Sequence, residues 1–185
     1  MLEFIILGTL YTNTLTGYDI KKCIEGGIGM FYRASYGSIY PILGKLLERG
    51  YVVCVDEVQG KMVKKKYSIT PCGKKELIKW LNEDNASSSS IESIMAKVFF
   101  FDIIPRDTAY KKISEYEEKL WDYQKNLIIK KEEYEKLEDK GAFYFKLSTL
   151  YFGICKLQSI IMWCETVKLG NDLETLILPV KGEAI

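Results

Sequence analysis

Between Ser35 and Lys66 the chain gathers side chains of the kinds that bind phosphate and nucleic-acid base edges. These are Ser35, Tyr36, Ser38, Tyr40 and Lys45, followed by Lys61, Lys64, Lys65 and Lys66. Hydroxyls exchange hydrogen bonds with phosphate oxygens and base edges, and lysines displace the counterions condensed on a duplex. No other group of residues points to chemistry. The chain has no histidine to act as general base or ligand. The pairs Glu117-Glu118 and Glu132-Glu133 fall on flanks of a charged helix, where carboxylates are ordinarily solvated. No GxxxxGK[ST] loop and no GxGxxG before a helix occurs. The five cysteines (Cys23, Cys54, Cys72, Cys155, Cys164) form no CxxC, so no structural metal is expected. Their odd number fits a reducing cytoplasm with thiols as small apolar fillers. The expectation is a non-enzyme with no cofactor.

These side chains need elements to hold them. Ser35 or Ser38 can cap a helix, and Pro41 lies within its first turn. Ile39, Ile42, Leu43, Leu46 and Leu47 recur at helical spacing, and Gly50 sits where a left-handed cap ends such a helix. Two β-rich runs follow, Tyr51 to Val58 and Val63 to Ile69, with Gln59-Gly60-Lys61 as the turn of a hairpin. Alternation puts Lys64 and Lys66 on one face of the second arm and Lys65 on the other. Thr70-Pro71 starts a further helix whose buried face is Leu77, Ile78, Trp80 and Leu81. Upstream, Leu2 to Tyr11 reads as a buried helix. Thr16 with Asp19 forms a capping box for a helix over Tyr18 to Ile24. Tyr18 is a candidate for core or contact, and its spacing with Ile24 favours core. Met30, Phe31 and Tyr32 are expected to pack beneath the hydroxyl-bearing helix. Lys21 and Lys22 are candidate phosphate contacts or plain surface lysines. Helix, helix, hairpin with a basic arm, helix is the winged helix-turn-helix pattern, in which one helix enters the major groove.

The first half resembles the PadR family of bacterial transcriptional regulators. The matching residues are Leu7-Gly8, Gly17-Tyr18-Asp19-Ile20, Ser35-Tyr36-Gly37-Ser38-Ile39-Tyr40-Pro41, Leu46 to Val52, Lys66 to Thr70 and Gly73. The resemblance implies a dimeric DNA-binding repressor with a helical C-terminal dimerisation domain, released in many members by a small hydrophobic or aromatic ligand. It supports Ser38 and Tyr40 most among the expected contacts. Three lysines and no arginine on the wing depart from many relatives. Lysine lacks the planar fork that reads guanine, so this wing is expected to act electrostatically.

Net charge is +1 over 185 residues, unevenly placed. Residues 1–84 carry 12 Lys+Arg against 9 Asp+Glu, a balance of +3, and residues 85–185 carry 14 against 16, a balance of −2. A basic first half suits a nucleic-acid partner. The expected domains are a winged helix-turn-helix over 1–84, a Ser-rich linker at 85–90, a helical dimerisation domain over 91–169 and a tail over 170–185. The second domain should contain a short apolar helix over Ile91 to Phe101 and a long helix from about Arg106 to Lys140 closed by Gly141. That helix has a heptad stripe Ile113, Tyr116, Leu120, Tyr123, Leu127, Tyr134 and Leu137. A last helix, Ala142 to Leu169, carries Phe143, Leu147, Leu150, Ile154, Leu157, Ile161 and Cys164, with Tyr151, Phe152, Ile160 and Trp163 outside the stripe. A helix apolar on two sides must bury two faces. The fold expected is therefore mostly α, with long antiparallel helices that form a homodimer. Its dimerisation residues are Ile113, Leu120, Leu127, Leu150, Ile154, Leu157 and Ile161.

Trp121 and Trp163, with Tyr116, Tyr123 and Phe152 nearby, mark where a planar hydrophobic effector would sit, although aromatics at a helical interface are ordinarily core. No run of 18 uncharged apolar residues appears, so no membrane span is expected. The reading is a cytoplasmic repressor that binds double-stranded DNA at a pseudo-palindromic operator. The alternatives are a winged-helix protein–protein interaction module without strong DNA affinity, and an aromatic-ligand carrier or enzyme built on the dimer pocket.

Overall fold

The computed structural model describes residues 1–32, 34–59, 62–84, 90–136 and 143–177, without the side chains of Tyr36, Gln59 and Met62. The chain forms two compact units, Met1–Arg106 and Asp107–Ile185.

In the first unit, α1 (Leu2–Thr9) is apolar but for Glu3 and its last residue Thr9, and it buries Leu2, Ile5, Ile6 and Leu7. The two-residue strand β1 (Leu15–Thr16) leads into α2 (Gly17–Gly26). The Thr16 hydroxyl accepts from the Asp19 N–H (3.2 Å), and the Asp19 carboxylate accepts from the Thr16 N–H (3.3 Å), which is the expected capping box. A 3-10 turn over Ile28–Met30 follows; it buries Ile28 but leaves Met30 88% exposed. The expectation that Met30 and Phe31 pack under the next helix is therefore corrected: the turn buries Ile28 and turns Met30 and Phe31 toward solvent.

Helix α3 (Tyr36–Glu48) starts at Ser35. Its inward residues Ile39, Leu43 and Leu46 are fully buried, a gain of about 1.5–3 kcal/mol each. Ile42 is half-buried and Leu47 largely exposed, so the apolar stripe is narrower than the spacing predicts. The Tyr51 N–H donates to the Leu46 carbonyl and the Gly50 N–H to that of Leu47, with Gly50 at φ +67°. This is a Schellman end, and it turns the chain straight into β2 (Val52–Gln59).

β2 pairs antiparallel with β3 (Met62–Ile69). β1 adds to the other side of β3, with Leu15 opposite Tyr67 and Thr16 opposite Lys66. The sheet thus has three strands in the order β1-β3-β2, one more than the sequence pattern predicts. The Gly60-Lys61 turn lies outside the described residues. Thr70 caps α4 (Pro71–Asn82) by accepting from the Gly73 N–H (3.0 Å). Trp80 of α4 stacks on Phe4 with ring centroids 4.8 Å apart.

The short helix α5 (Ile91–Val98) and a 3-10 turn over Phe101–Ile103 belong to this first unit. Lys97 is buried; its ammonium donates to the Glu83 carbonyl at the end of α4 (2.8 Å) and lies 5.5 Å from the Trp80 ring centroid. Phe100 fills a space over Gly8 so tight that a methyl there would come within 2.5 Å of its ring. The compact unit therefore ends at Arg106, whereas the composition of the Ser-rich segment suggested 84. Of that segment only Ser90 is described, and its hydroxyl caps α5.

The second unit is built on α6 (Arg106–Glu135) and α7 (Tyr144–Leu169). Four contacts fix their relation: Glu117 with Lys168, Leu127 against Gly153, Glu135 with Tyr151 and Tyr134 against Phe143. Numbers rise on one helix as they fall on the other, so the pair is antiparallel. The expected glycine closure at Lys140-Gly141 lies outside the described residues. On α6, Gln124 is buried and Tyr123 is 58% exposed, which corrects the heptad assignment at that turn. Straight α-helix drifts against a strict seven-residue repeat, and the seam moves one position along. α7 ends at Gly170 (φ +65°), and Asp172 caps a 3-10 turn over Leu173–Leu176, so the start of the expected tail has local structure. Helix α7 is also long and apolar enough to cross a membrane, although it contains Lys156 at its centre and its Ile154, Leu157 and Ile161 are buried.

Candidate nucleic-acid interface

The hydroxyls of α3 are held first by its own cap. The Ser38 hydroxyl accepts from the Ser35 N–H (3.1 Å) and donates to the Ser35 carbonyl (2.8 Å). Ser38 is thus committed to its own helix start, and Ser35 stays exposed beside it. The Tyr36 side chain lies outside the described residues. Pro41 falls in the second turn, at a place where Gly37 loses only one intrahelical partner.

One turn in from the cap, Tyr40 is 51% exposed and its ring lies on Gly17, the first residue of α2. An added methyl at Gly17 would stand 2.8–2.9 Å from the Tyr40 ring and hydroxyl. The start of α2, Tyr40 and the wing enclose an open groove of about 670 Å³. Thr16, Gly17, Tyr18, Asp19, Tyr40, Lys64, Lys65 and Tyr67 line it. Tyr18 is 60% exposed, which corrects its core assignment. Gly17, Ile20 and Ile24 supply the buried face of α2, and Tyr18 sits about 160° around the helix from Ile20 and about 120° from Ile24, on the groove side.

The electrostatics of the groove are mixed. Asp19 has its carboxyl held below the usual range, first by the hydrogen bond from the Thr16 hydroxyl, with Lys64 and Lys66 adding to the effect. Tyr67 is raised, chiefly by burial, with the neighbouring Cys54 next. On the wing, Lys64 lies opposite Glu57 and Lys65 opposite Asp56. Lys66 makes an ion pair with Glu57 at 2.9 Å. The partner strand and the split of the lysines between two faces are as expected from the sequence, but the acids facing the lysines are not. The signal was present as Asp56-Glu57, and it needed the register to be read. Lys61 lies outside the described residues.

Other candidate contacts are placed as follows. Lys45 is exposed in the last turn of α3. Arg49 pairs with Glu3 at 3.2 Å, and Lys21 with Glu25 at 2.5 Å. Among the described residues no group of three or more Cys, Asp or Glu side chains is arranged to hold a metal.

In the second unit, Ile113, Leu120, Ile154, Leu157 and Ile161 are buried within the single chain, with Leu127 and Leu150 half-buried. The sequence expectation gave these residues to the contact with a second copy. In the single chain the first five of them are already shielded from solvent. Phe145, Phe152 and Met162 are among the large apolar side chains of α7 that remain exposed, at 81%, 71% and 46%. The antiparallel register brings Trp121 (44% exposed) and Trp163 (half-buried) to the same level of the helix pair.

Residues 6–79 match the model of the Transcriptional regulator PadR-like family. A curated relative, the negative transcriptional regulator PadR of Bacillus subtilis (strain 168), is 34% identical over 111 residues. That alignment covers 59% of this chain and 61% of the relative, so the chain spans about three fifths of its length. Among solved structures, B. subtilis PadR in complex with operator DNA is 26% identical, covering 92% of this chain and 99% of that one, with a TM-score of 0.47. The smu.1604c protein of Streptococcus mutans UA159 is 29% identical, covering 91% and 98%, with a TM-score of 0.44. Residues 6–79, the winged helix-turn-helix described above, are thus similar to the PadR-like family of transcriptional regulators.

Proposed function

We propose that this protein is a cytoplasmic, dimeric transcriptional repressor that binds double-stranded DNA. The observation that carries the reading is the groove joining Tyr40 of α3, the start of α2 and the lysines of β3. It presents hydroxyls and ammonium groups beside a helix end of the size that enters a major groove. The name of the B. subtilis relative, a negative regulator, supports repression. In this reading Ser35, Tyr40 and Lys45 meet phosphates or base edges. Lys64 and Lys65 neutralise phosphate, and Ser38 fixes the start of α3. The operator is pseudo-palindromic with half-sites about one helical turn apart, as two-fold symmetry requires. The second copy covers the outer face of α7 at Phe145, Phe152 and Met162. A small aromatic effector would sit at the level of Trp121 and Trp163.

Fluorescence anisotropy with the protein's own upstream DNA tests the proposal. Tight, salt-sensitive binding is expected for the wild type, weakened in Tyr40→Ala and in the Lys64/Lys65/Lys66→Ala triple variant. Binding no tighter than to an unrelated duplex of equal length refutes it. The second reading, a winged-helix module for protein contact, is favoured by the acids that face the wing lysines. It predicts no steep salt dependence on DNA.

A further inference from the structure

The three wing lysines are not equivalent. Lys64 and Lys66 share one face of β3, and the acid on that face of β2 is Glu57. Directly opposite Lys64, Glu57 nevertheless makes its ion pair diagonally, with Lys66, at 2.9 Å. The Lys66 side chain is 34% exposed and that of Glu57 48%, so the pair sits at the surface where a phosphate can reach it. Asp19, at the start of α2, carries its negative charge toward the same two lysines. A phosphate oxygen and a carboxylate oxygen make the same demand of an ammonium group.

We propose that Glu57 is an affinity-setting residue, an internal stand-in for phosphate that Lys66 must leave before it contacts DNA. This rests on the DNA-binding reading above. The thermodynamic consequence is specific. A lysine that is unpaired in the free protein releases about 0.9 of a counterion when it takes up a phosphate of B-DNA. A lysine drawn from Glu57 leaves behind a bare carboxylate that recruits a cation from solution. The release and the uptake nearly cancel, so Lys66 contributes little to the salt dependence of binding. Removing the charge of Glu57 restores the missing release.

The test is anisotropy against fluorescein-labelled upstream duplex, from low to moderate salt, on wild type, Glu57→Gln, Lys66→Ala and the double variant. Thermal unfolding by circular dichroism confirms the fold of each. Glu57→Gln is expected to bind about two- to fivefold tighter at low salt, the range for a surface ion pair. Its slope of log K against log salt is expected to be steeper by about 0.9. Both changes should vanish in the Lys66→Ala background. An unchanged slope in Glu57→Gln overturns the proposal, as does a change of the same size without Lys66. If wild type and Glu57→Gln alike bind the upstream duplex no better than an unrelated one, the DNA-binding reading itself falls and takes this inference with it.

Discussion

Replacing Gly17 with alanine separates the positioning of Tyr40 from the stability of the fold. The new methyl would stand 2.8 Å from Cε1, 2.9 Å from Cζ and 2.9 Å from the hydroxyl oxygen of Tyr40. Carbon atoms in contact settle at about 3.5–4.0 Å, so the ring must move by roughly 0.6–1 Å. It is half in solvent and can swing outward without displacing backbone. Gly17 has no positive φ and opens α2, so alanine there also gains up to about 1 kcal/mol of helix propensity. Stability should therefore hold or rise slightly. Binding should not hold. A hydroxyl that bonds a charged phosphate oxygen is worth about 1.5–3 kcal/mol, and a shift near 1 Å takes an O–H···O contact from about 2.7 Å to beyond useful range. The expected loss is about tenfold in affinity. Circular dichroism gives the melting temperature and anisotropy the affinity, each for wild type, Gly17→Ala, Tyr40→Ala and the double variant. If Tyr40 carries the effect, Gly17→Ala costs nothing further once Tyr40 is gone. Unchanged affinity in Gly17→Ala, or an equal loss in the Tyr40→Ala background, refutes the reasoning.

Gly73→Ala should be far more damaging to the fold, because its methyl would overlap the Tyr51 carbonyl oxygen, which is backbone and already accepts from the Thr70 N–H. Overpacking of this kind costs about 1–3 kcal/mol, a fall in melting temperature on the order of 5 °C, whereas Gly44→Ala, with open space around it, should lose nothing. Cys164 is buried beside Glu117, and burial first, then that carboxylate, pushes its thiol up to about 12. At pH 8 a thiol reagent should label the exposed Cys23, Cys72 and Cys155 and spare Cys164 until the protein is unfolded, as mass spectrometry of digests will show. The Asp19 carboxyl is held low, so its contribution is present above the ordinary carboxylate pKa of about 3.9 and is lost as pH falls through the lower folded-state value. Urea midpoints measured from pH 6 downward should fall less steeply below about pH 4 for Asp19→Ala than for wild type.

The parts of the fold that the sequence made legible are those fixed by neighbours in the chain. The Thr16-Asp19 box, the Ser35 start of α3, the Gly50 turn and the Thr70-Pro71 start of α4 each depend on residues within four positions. The α7 stripe from Ile154 to Cys164 was equally readable from its period. What escaped depends on pairing across the chain. β1 is two residues long and exists because β3 lies beside it, which no local pattern announces. Tyr18 was misplaced because spacing with a buried residue does not reveal that a groove opens on its side. In the candidate site, the residue types of α3 and the wing were legible. The pairing of Lys66 with Glu57 was not, since it follows from a register nine residues apart across a turn. The apolar stripes of α6 and α7 were legible from their period, but which apolar face the chain covers by itself is a tertiary matter.

The allegiance of α5 decides what can be carried elsewhere. Phe100 occupies the hollow over Gly8, and Lys97 holds the end of α4 against Trp80. A fragment cut at the serine-rich segment would keep every residue of the groove and yet open a hole over α1, leaving the carbonyl of Glu83 without its ammonium partner. The portable winged-helix module is therefore about twenty residues longer than the boundary at 84 expected from the sequence. A chimera that grafts it onto another dimerising domain should make its junction after Pro105, where the first compact unit gives way to α6.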